Sequence, residues 1–113
     1  MRKNERLTHG PIMLTESLKS ALAKVPAFCE RWSIAEFSLF GSVVRADFRP
    51  ESDIDVLLTF LPDAKWSLVE WVAMREELQE LFARGVDLVE KRAIRNPFRR
   101  SAILATHRVV YAA

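Results

Sequence analysis

Residues 41–55 read GSVVRADFRPESDID, and an apolar run, Val56-Leu57-Leu58, follows directly. The segment opens on a Gly-Ser pair and an arginine, crosses a stretch rich in Pro, Glu and Ser, and closes on two aspartates one residue apart. Side chains alternate between faces along a strand, so Asp53 and Asp55 project to one side. Ile54 and Val56 project to the other, where a core can receive them. Two carboxylates held side by side repel each other unless a cation lies between them. Oxygen-rich sites of this kind suit Mg²⁺, which is usually held by one or two carboxylates together with substrate phosphates. The segment points to phosphoryl or nucleotidyl transfer.

The flanking sequence supplies the elements that would carry it. Ala35 to Phe40 predicts a strand ending at Gly41, with a short helical turn over 42–46 and a loop over 47–52. Ile54 to Phe60 predicts a second strand, closed by Leu61-Pro62-Asp63. Upstream, Leu14, Leu18, Ala21, Leu22 and Val25 give a helix from Thr15 to Lys24 an apolar face. Pro26 interrupts it, and a short helix through Phe28 to Trp32 follows. Residues 1–12 read as a polar tail containing Gly10-Pro11, and residues 13–113 as a single domain.

Downstream, Ser67 and Glu70 form a capping box ahead of a helix. Trp71, Met74, Leu78 and Leu81 recur at helical spacing with Phe82, and Gly85 is the expected stop. Trp71 reads as core; Trp66, just outside the cap, is open. Val86 to Glu90 predicts a third strand. Asn96-Pro97 starts a last helix to about His107, and Val109 to Tyr111 a short terminal strand. The order is α-β-(short α)-β-α-β-α, an α/β or α+β fold with helices against one sheet.

Composition narrows the class. The chain has 113 residues, half of them hydrophobic and 28% charged, as expected of a soluble globular domain. The single cysteine, Cys29, excludes an internal disulfide framework and a Cys-based zinc cluster, and its apolar neighbours predict a buried, inert thiol. No run approaches the about 20 apolar residues of a membrane span. The basic N-terminus lacks the apolar segment of a secretory signal, so a cytoplasmic location is expected. His9 and His107 lack companions at metal-ligand spacing and read as structural or exposed. A net charge of +2 does not by itself imply nucleic-acid binding. Lys91, Arg92, Arg95, Arg99 and Arg100 nevertheless cluster without an intervening acid. That run reads as a solvated helix face, a phosphate-facing patch or a docking surface for an acidic partner.

Chemistry dictates a topology. Gly41-Ser42 ends the first strand and Asp53 and Asp55 begin the second, so a shared site requires the two strands to be adjacent and antiparallel. The third strand returns through a helix and should lie parallel to the second by a right-handed crossover. Alternation then buries Val86 and Leu88 and turns Asp87 onto the face of Asp53 and Asp55. Three carboxylates and a Gly-Ser turn are the parts of a two-metal phosphoryl-transfer site. The turn offers backbone amides and the Ser42 hydroxyl to the β- and γ-phosphates, with Gly41 permitting close approach. A third carboxylate can deprotonate an incoming hydroxyl.

Gly41-Ser42-Val43-Val44-Arg45-Ala46, followed by Ser52-Asp53-Ile54-Asp55-Val56-Leu57-Leu58, resembles the GSxxRG and SDIDLLV signature of the minimal nucleotidyltransferases of the DNA polymerase β superfamily. The resemblance continues through Val86-Asp87-Leu88-Val89 to Val109-Val110-Tyr111. It implies a polymerase β-like fold with a mixed sheet of three to four strands and helices mainly on one face. It also implies Mg²⁺-dependent transfer of NMP from an NTP, with two metal ions held by Asp53, Asp55 and Asp87. Gly41 and Ser42 would bind the triphosphate, and Arg45 would steady the loop or a phosphate. Ala46 departs from the family's usual glycine, and Val44 from a commonly smaller residue. Members this short are similar to antitoxins that AMPylate a tyrosine of a HEPN-domain ribonuclease toxin. The resemblance thus implies ATP as donor, a HEPN-domain toxin as partner in a hetero-oligomer, and a partner-supplied acceptor surface. Two other readings stay open: an antitoxin acting by occlusion alone, and a transferase acting on a small molecule or an RNA end.

Overall fold

The computed structural model describes residues 15–45, 49 and 51–113. Among the described residues, four helices, α1 (Glu16–Ala23), α2 (Val25–Arg31), α3 (Leu68–Phe82) and α4 (Pro97–Thr106), surround four strands. The strands are β1 (Ile34–Phe40), β2 (Ile54–Phe60), β3 (Val86–Glu90) and β4 (Arg108–Ala112). Single 3₁₀ turns follow β1 at Gly41–Val44 and β3 at Lys91–Ala93. The expected tail, Leu14, His9 and the departure at Ala46 lie outside the described residues.

Local sequence explains the helix boundaries. Thr15 caps α1, its hydroxyl accepting from the Leu18 amide at 3.1 Å. Pro26 falls in the first turn of α2, where its missing N–H costs nothing. Ser67 and Glu70 form the capping box of α3, with the Ser67 amide donating to the Glu70 carboxylate at 2.8 Å and the Ser67 hydroxyl donating to the same oxygen. Asn96 Oδ1 accepts from the amides of Phe98 and Arg99 and so opens α4 at Pro97.

The strand order is β3-β2-β1-β4. β1 pairs antiparallel with β2 and β4, and β2 pairs parallel with β3, as the shared-site argument requires. α1, α2 and α3 cover one face. There Leu18, Val25, Phe28, Phe37, Leu39, Ile54, Val56, Leu58, Met74, Leu78, Val86 and Leu88 form the main core. α4 lies on the opposite face over a smaller cluster of Phe40, Leu57, Ile94 and Ile103. Period-two alternation along β2 sends Ile54, Val56 and Leu58 to the first face and Asp55 and Leu57 to the second. The helices are thus mainly on one face, and the exception shares a face with the carboxylates.

Cys29 is fully buried, and burial, with the nearby Glu30 charge, pushes its thiol up to about 12, which makes it inert. Trp71 packs on the core edge-on to Phe60. Trp66 donates its indole N–H to the Trp32 carbonyl at 3.0 Å and stacks edge-on to the Trp32 ring, a structural use. His107 Nδ1 lies 3.0 Å from the Leu104 carbonyl at the end of α4.

The stop of α3 corrects an expectation. The left-handed residue that ends the helix is Ala83, at φ 58° and ψ 37°, and Gly85 does not adopt a positive φ. An L-residue in that conformation is strained, whereas glycine adopts it freely. Ala83→Gly is therefore expected to stabilise the protein by roughly 0.5–1 kcal/mol, the gain being reduced by glycine's freer unfolded chain. A urea midpoint that falls in this variant, at constant slope, would refute the assignment.

Candidate active site

The Asp face of the sheet is built by register. Asp55 of β2 pairs with Asp87 of β3, and Phe40, the last residue of β1, pairs with Asp55. Parallel neighbours lie about 4.8 Å apart, so the two aspartates stand side by side on one face. Asp53 sits just ahead of β2 and two residues from Asp55. Asp53 and Asp87 are exposed and Asp55 is half-buried.

Several contacts fix this end of the sheet. The Ile54 amide donates to the Gly85 carbonyl at 2.9 Å, which locks the entry of β2 to that of β3. The Val86 amide donates to Gln79 Oε1 at 3.3 Å, and the Val86 carbonyl accepts from Arg75 Nε at 3.2 Å. Two side chains of α3 thereby satisfy the backbone just before Asp87. Arg84 reaches the loop ahead of the Asp pair, its Nη1 donating to the carbonyls of Arg49 at 3.2 Å and Ser52 at 3.0 Å. Arg49 and Ser52 also bond to each other, the amide of each finding an oxygen of the other at 3.0 Å.

Two glycines leave room for the carboxylates. Gly41 has φ 75°, and a Cβ there would overlap the Asp55 carboxylate outright. A Cβ on Gly85 would fall 2.5 Å from Asp53 Oδ1 and 3.1 Å from its Cγ. The first glycine was legible as a turn residue. The second was read as a helix stop, but its position beside Asp53 is what excludes a side chain. Ser42 follows Gly41 in the turn, half-buried, its carbonyl accepting from the Arg45 amide at 2.9 Å.

Electrostatics tie these groups together. Burial raises the Asp55 pKa above the usual carboxylate range, and the Asp87 and Asp53 charges raise it further. Arg45 and Arg99 act in the opposite direction. Asp55 therefore senses both other aspartates, with two arginines close enough to offset part of that charge. Among the described residues, however, no three His, Cys, Asp or Glu side chains converge into a ready-made metal cage. A donor set of carboxylates, with space kept clear by two glycines, fits a hard cation that draws its remaining ligands from a substrate.

The basic run Lys91–Arg100 divides into separate tasks. Lys91 Nζ pairs with Glu36 at 3.5 Å, and Arg100 Nη1 donates to the Lys91 carbonyl at 2.7 Å. Arg92 and Arg95 are exposed. Arg99 alone of the five acts on Asp55. Of the residues that shape this face, Arg84 has no signal in the sequence, whereas Gly85 reads there only as a helix stop and Arg99 only as one member of a basic run. The nearest signals were the position of Gly85 immediately before Val86-Asp87 and the presence of Arg99 in a charge run.

A family model described as a nucleotidyltransferase domain matches residues 24–110. A protein adenylyltransferase, MntA, of Thermococcus cleftensis is 33% identical over 95 residues, covering 80% of this chain and 92% of the relative. A solved structure assigned as a minimal nucleotidyltransferase is 28% identical, with a TM-score of 0.68 over 87% of this chain and 97% of that one. A complex of tri-AMPylated Shewanella oneidensis HEPN toxin with MNT antitoxin shares the fold at 16% identity, with a TM-score of 0.61 over 84% of this chain and 72% of the matched chain. The family match spans most of the chain and includes every residue of the carboxylate face, so the protein belongs to the nucleotidyltransferase domain family and is a nucleotidyltransferase.

Proposed function

We propose that the protein transfers AMP from ATP to a hydroxyl of a partner protein, acting as the antitoxin of a HEPN-type toxin by AMPylating a toxin tyrosine. The observation that carries this reading is the pairing of Asp55 with Asp87, with Asp53 beside them and the Gly-Ser turn directly across. The named activity of the Thermococcus relative supports adenylyl transfer to protein, and the shared fold of the Shewanella antitoxin supports the partner class. Exposed apolar side chains support a macromolecular acceptor: Leu68 and Val69 on α3, and Phe98 on α4, next to Arg99.

In this mechanism Asp53, Asp55 and Asp87 would hold Mg²⁺, most simply two ions. Held there, Mg²⁺ would supply charge neutralisation for the phosphates as the bond to the leaving group breaks. The Gly41–Val44 turn presents its amides and the Ser42 hydroxyl to the β- and γ-phosphates, while Arg45 steadies the loop or a phosphate. The acceptor O–H gives its proton to the Asp87 carboxylate as its oxygen bonds to the α-phosphorus. The bond from that phosphorus to the bridging oxygen breaks, and pyrophosphate leaves with the electron pair. Arg84 and the two glycines act indirectly, by holding the loop and the carboxylates in place.

Incubating the protein and its toxin with labelled ATP and Mg²⁺ tests the assignment. Asp53→Asn and Asp55→Asn should reduce label transfer to background, and Asp87→Asn should slow it by about 10²–10⁴-fold. Transfer at the wild-type rate in the first two variants would sink the proposal. If neutralisation persists when transfer is lost, occlusion rather than AMPylation is the working mechanism.

Gly85→Ala separates the site from the fold. The added methyl meets the mobile end of Asp53 and not backbone, so the thermal midpoint should change little while transfer falls at least about tenfold. Equal activity in this variant would mean that the position of Asp53 does not matter.

Asp55 also links pH to stability. Its folded pKa is raised, so the folded state retains a proton that the unfolded chain releases, and stability falls as pH rises through that window. The penalty is absent below about pH 4, where both states are protonated, and grows as pH rises through the raised folded pKa. In chelator-treated protein, Asp55→Asn should therefore raise the thermal midpoint by a few degrees at pH 7, with the gain fading towards pH 4. A lower midpoint at pH 7 would contradict the raised pKa.

A further inference from the structure

The start of α4 carries a cation that the fold does not use. Asn96 caps the backbone of this turn, and Arg100 is held on the Lys91 carbonyl. Among the described residues no hydrogen bond or ion pair holds the neighbouring Arg99 guanidinium, which is exposed. Its placement is set by packing. Ile103 is buried against the sheet in one cluster with Phe40 and Leu57. Arg99 precedes Ile103 by four residues and shares its helix face. Leu57 lies two residues along β2 from Asp55, and Phe40 is the register partner of Asp55. The face of α4 that bears Arg99 is therefore laid on the sheet face that bears Asp55 and Asp87.

We propose that Arg99 is a phosphate-contacting residue of the donor site and makes metal binding depend on the nucleotide, an inference that rests on the nucleotidyl-transfer reading above. A free divalent cation meets three carboxylates whose charge is partly offset by nearby guanidinium groups, so it gains less there than it would from the carboxylates alone. A nucleoside triphosphate reverses the balance. Its phosphates attract the guanidinium, which offers a planar set of N–H donors suited to phosphate oxygens, and they supply the ligands that the carboxylates leave open. Arg99 thereby opposes metal alone and favours metal with nucleotide.

This gives effects of opposite sign in one variant, which a merely structural role would not produce. The test uses the full chain, freed of metal, titrated in a calorimeter with Mn²⁺ alone and separately with AMP-PNP in saturating Mg²⁺. Arg99→Ala should weaken AMP-PNP binding by about tenfold or more, the size expected for a lost charge-assisted contact. The same variant should bind Mn²⁺ alone at least about twofold more tightly. Arg99→Lys should restore part of the nucleotide affinity, whereas Arg92→Ala, an exposed cation of the same run, should change neither quantity. Unchanged affinities in Arg99→Ala, or a parallel loss of both, would overturn the assignment. Failure of the wild-type protein to bind AMP-PNP with Mg²⁺ would instead overturn the nucleotidyl-transfer reading itself, and with it this inference.

Discussion

The parallel pairing that sets Asp55 beside Asp87 is the constraint on which the rest of the molecule depends. A one-residue slip of β3 against β2 would move Asp87 to the core face and Val86 or Leu88 into water, at a cost no small domain could absorb. The register is correspondingly over-determined. Apolar residues from both strands lock into the main core, and the Ile54 amide is bonded to the Gly85 carbonyl. Gln79 and Arg75 of α3 hold both polar groups of Val86. Buried side chains on one face thus position charged side chains on the other, and the site inherits the rigidity of the core.

That arrangement stores a local cost. Asp55 is half-buried next to two like charges, and the two glycines remove the Cβ atoms that would push the carboxylates away. Repulsion of this kind is relieved when a cation is bound, which is the use proposed for these carboxylates above. Arg84, anchored to two carbonyls of the preceding loop, shows how the flanking segment is held against this strain.

The two faces of the sheet have separate work. α1, α2 and α3 bury the face that provides stability, whereas α4 crosses the face that carries the aspartates and packs on only a few residues there. The basic run that ends in α4 is divided by this geometry. Lys91 and Arg100 fasten the turn after β3, and the charge of Arg99 acts on Asp55. Charges contiguous in sequence become structural or site-facing according to the direction in which each leaves the backbone.

Patterns of short range were written plainly in the chain. Alternation around Asp53 and Asp55, the Ser67–Glu70 capping box and Asn96-Pro97 each act within a few residues, so they determined the strands, the helix starts and which face the aspartates take. Even the antiparallel and parallel pairings followed, because a shared site admits few topologies. Contacts made across the sheet stayed hidden. That Gly85 clears space for Asp53 while Ala83 ends α3, that Arg84 latches the loop, and that α4 brings Arg99 within electrostatic reach of Asp55 all depend on elements meeting in space. Side-chain periodicity is a property of one segment, and it names which residues can face a site. Only packing between segments decides which of them reach it.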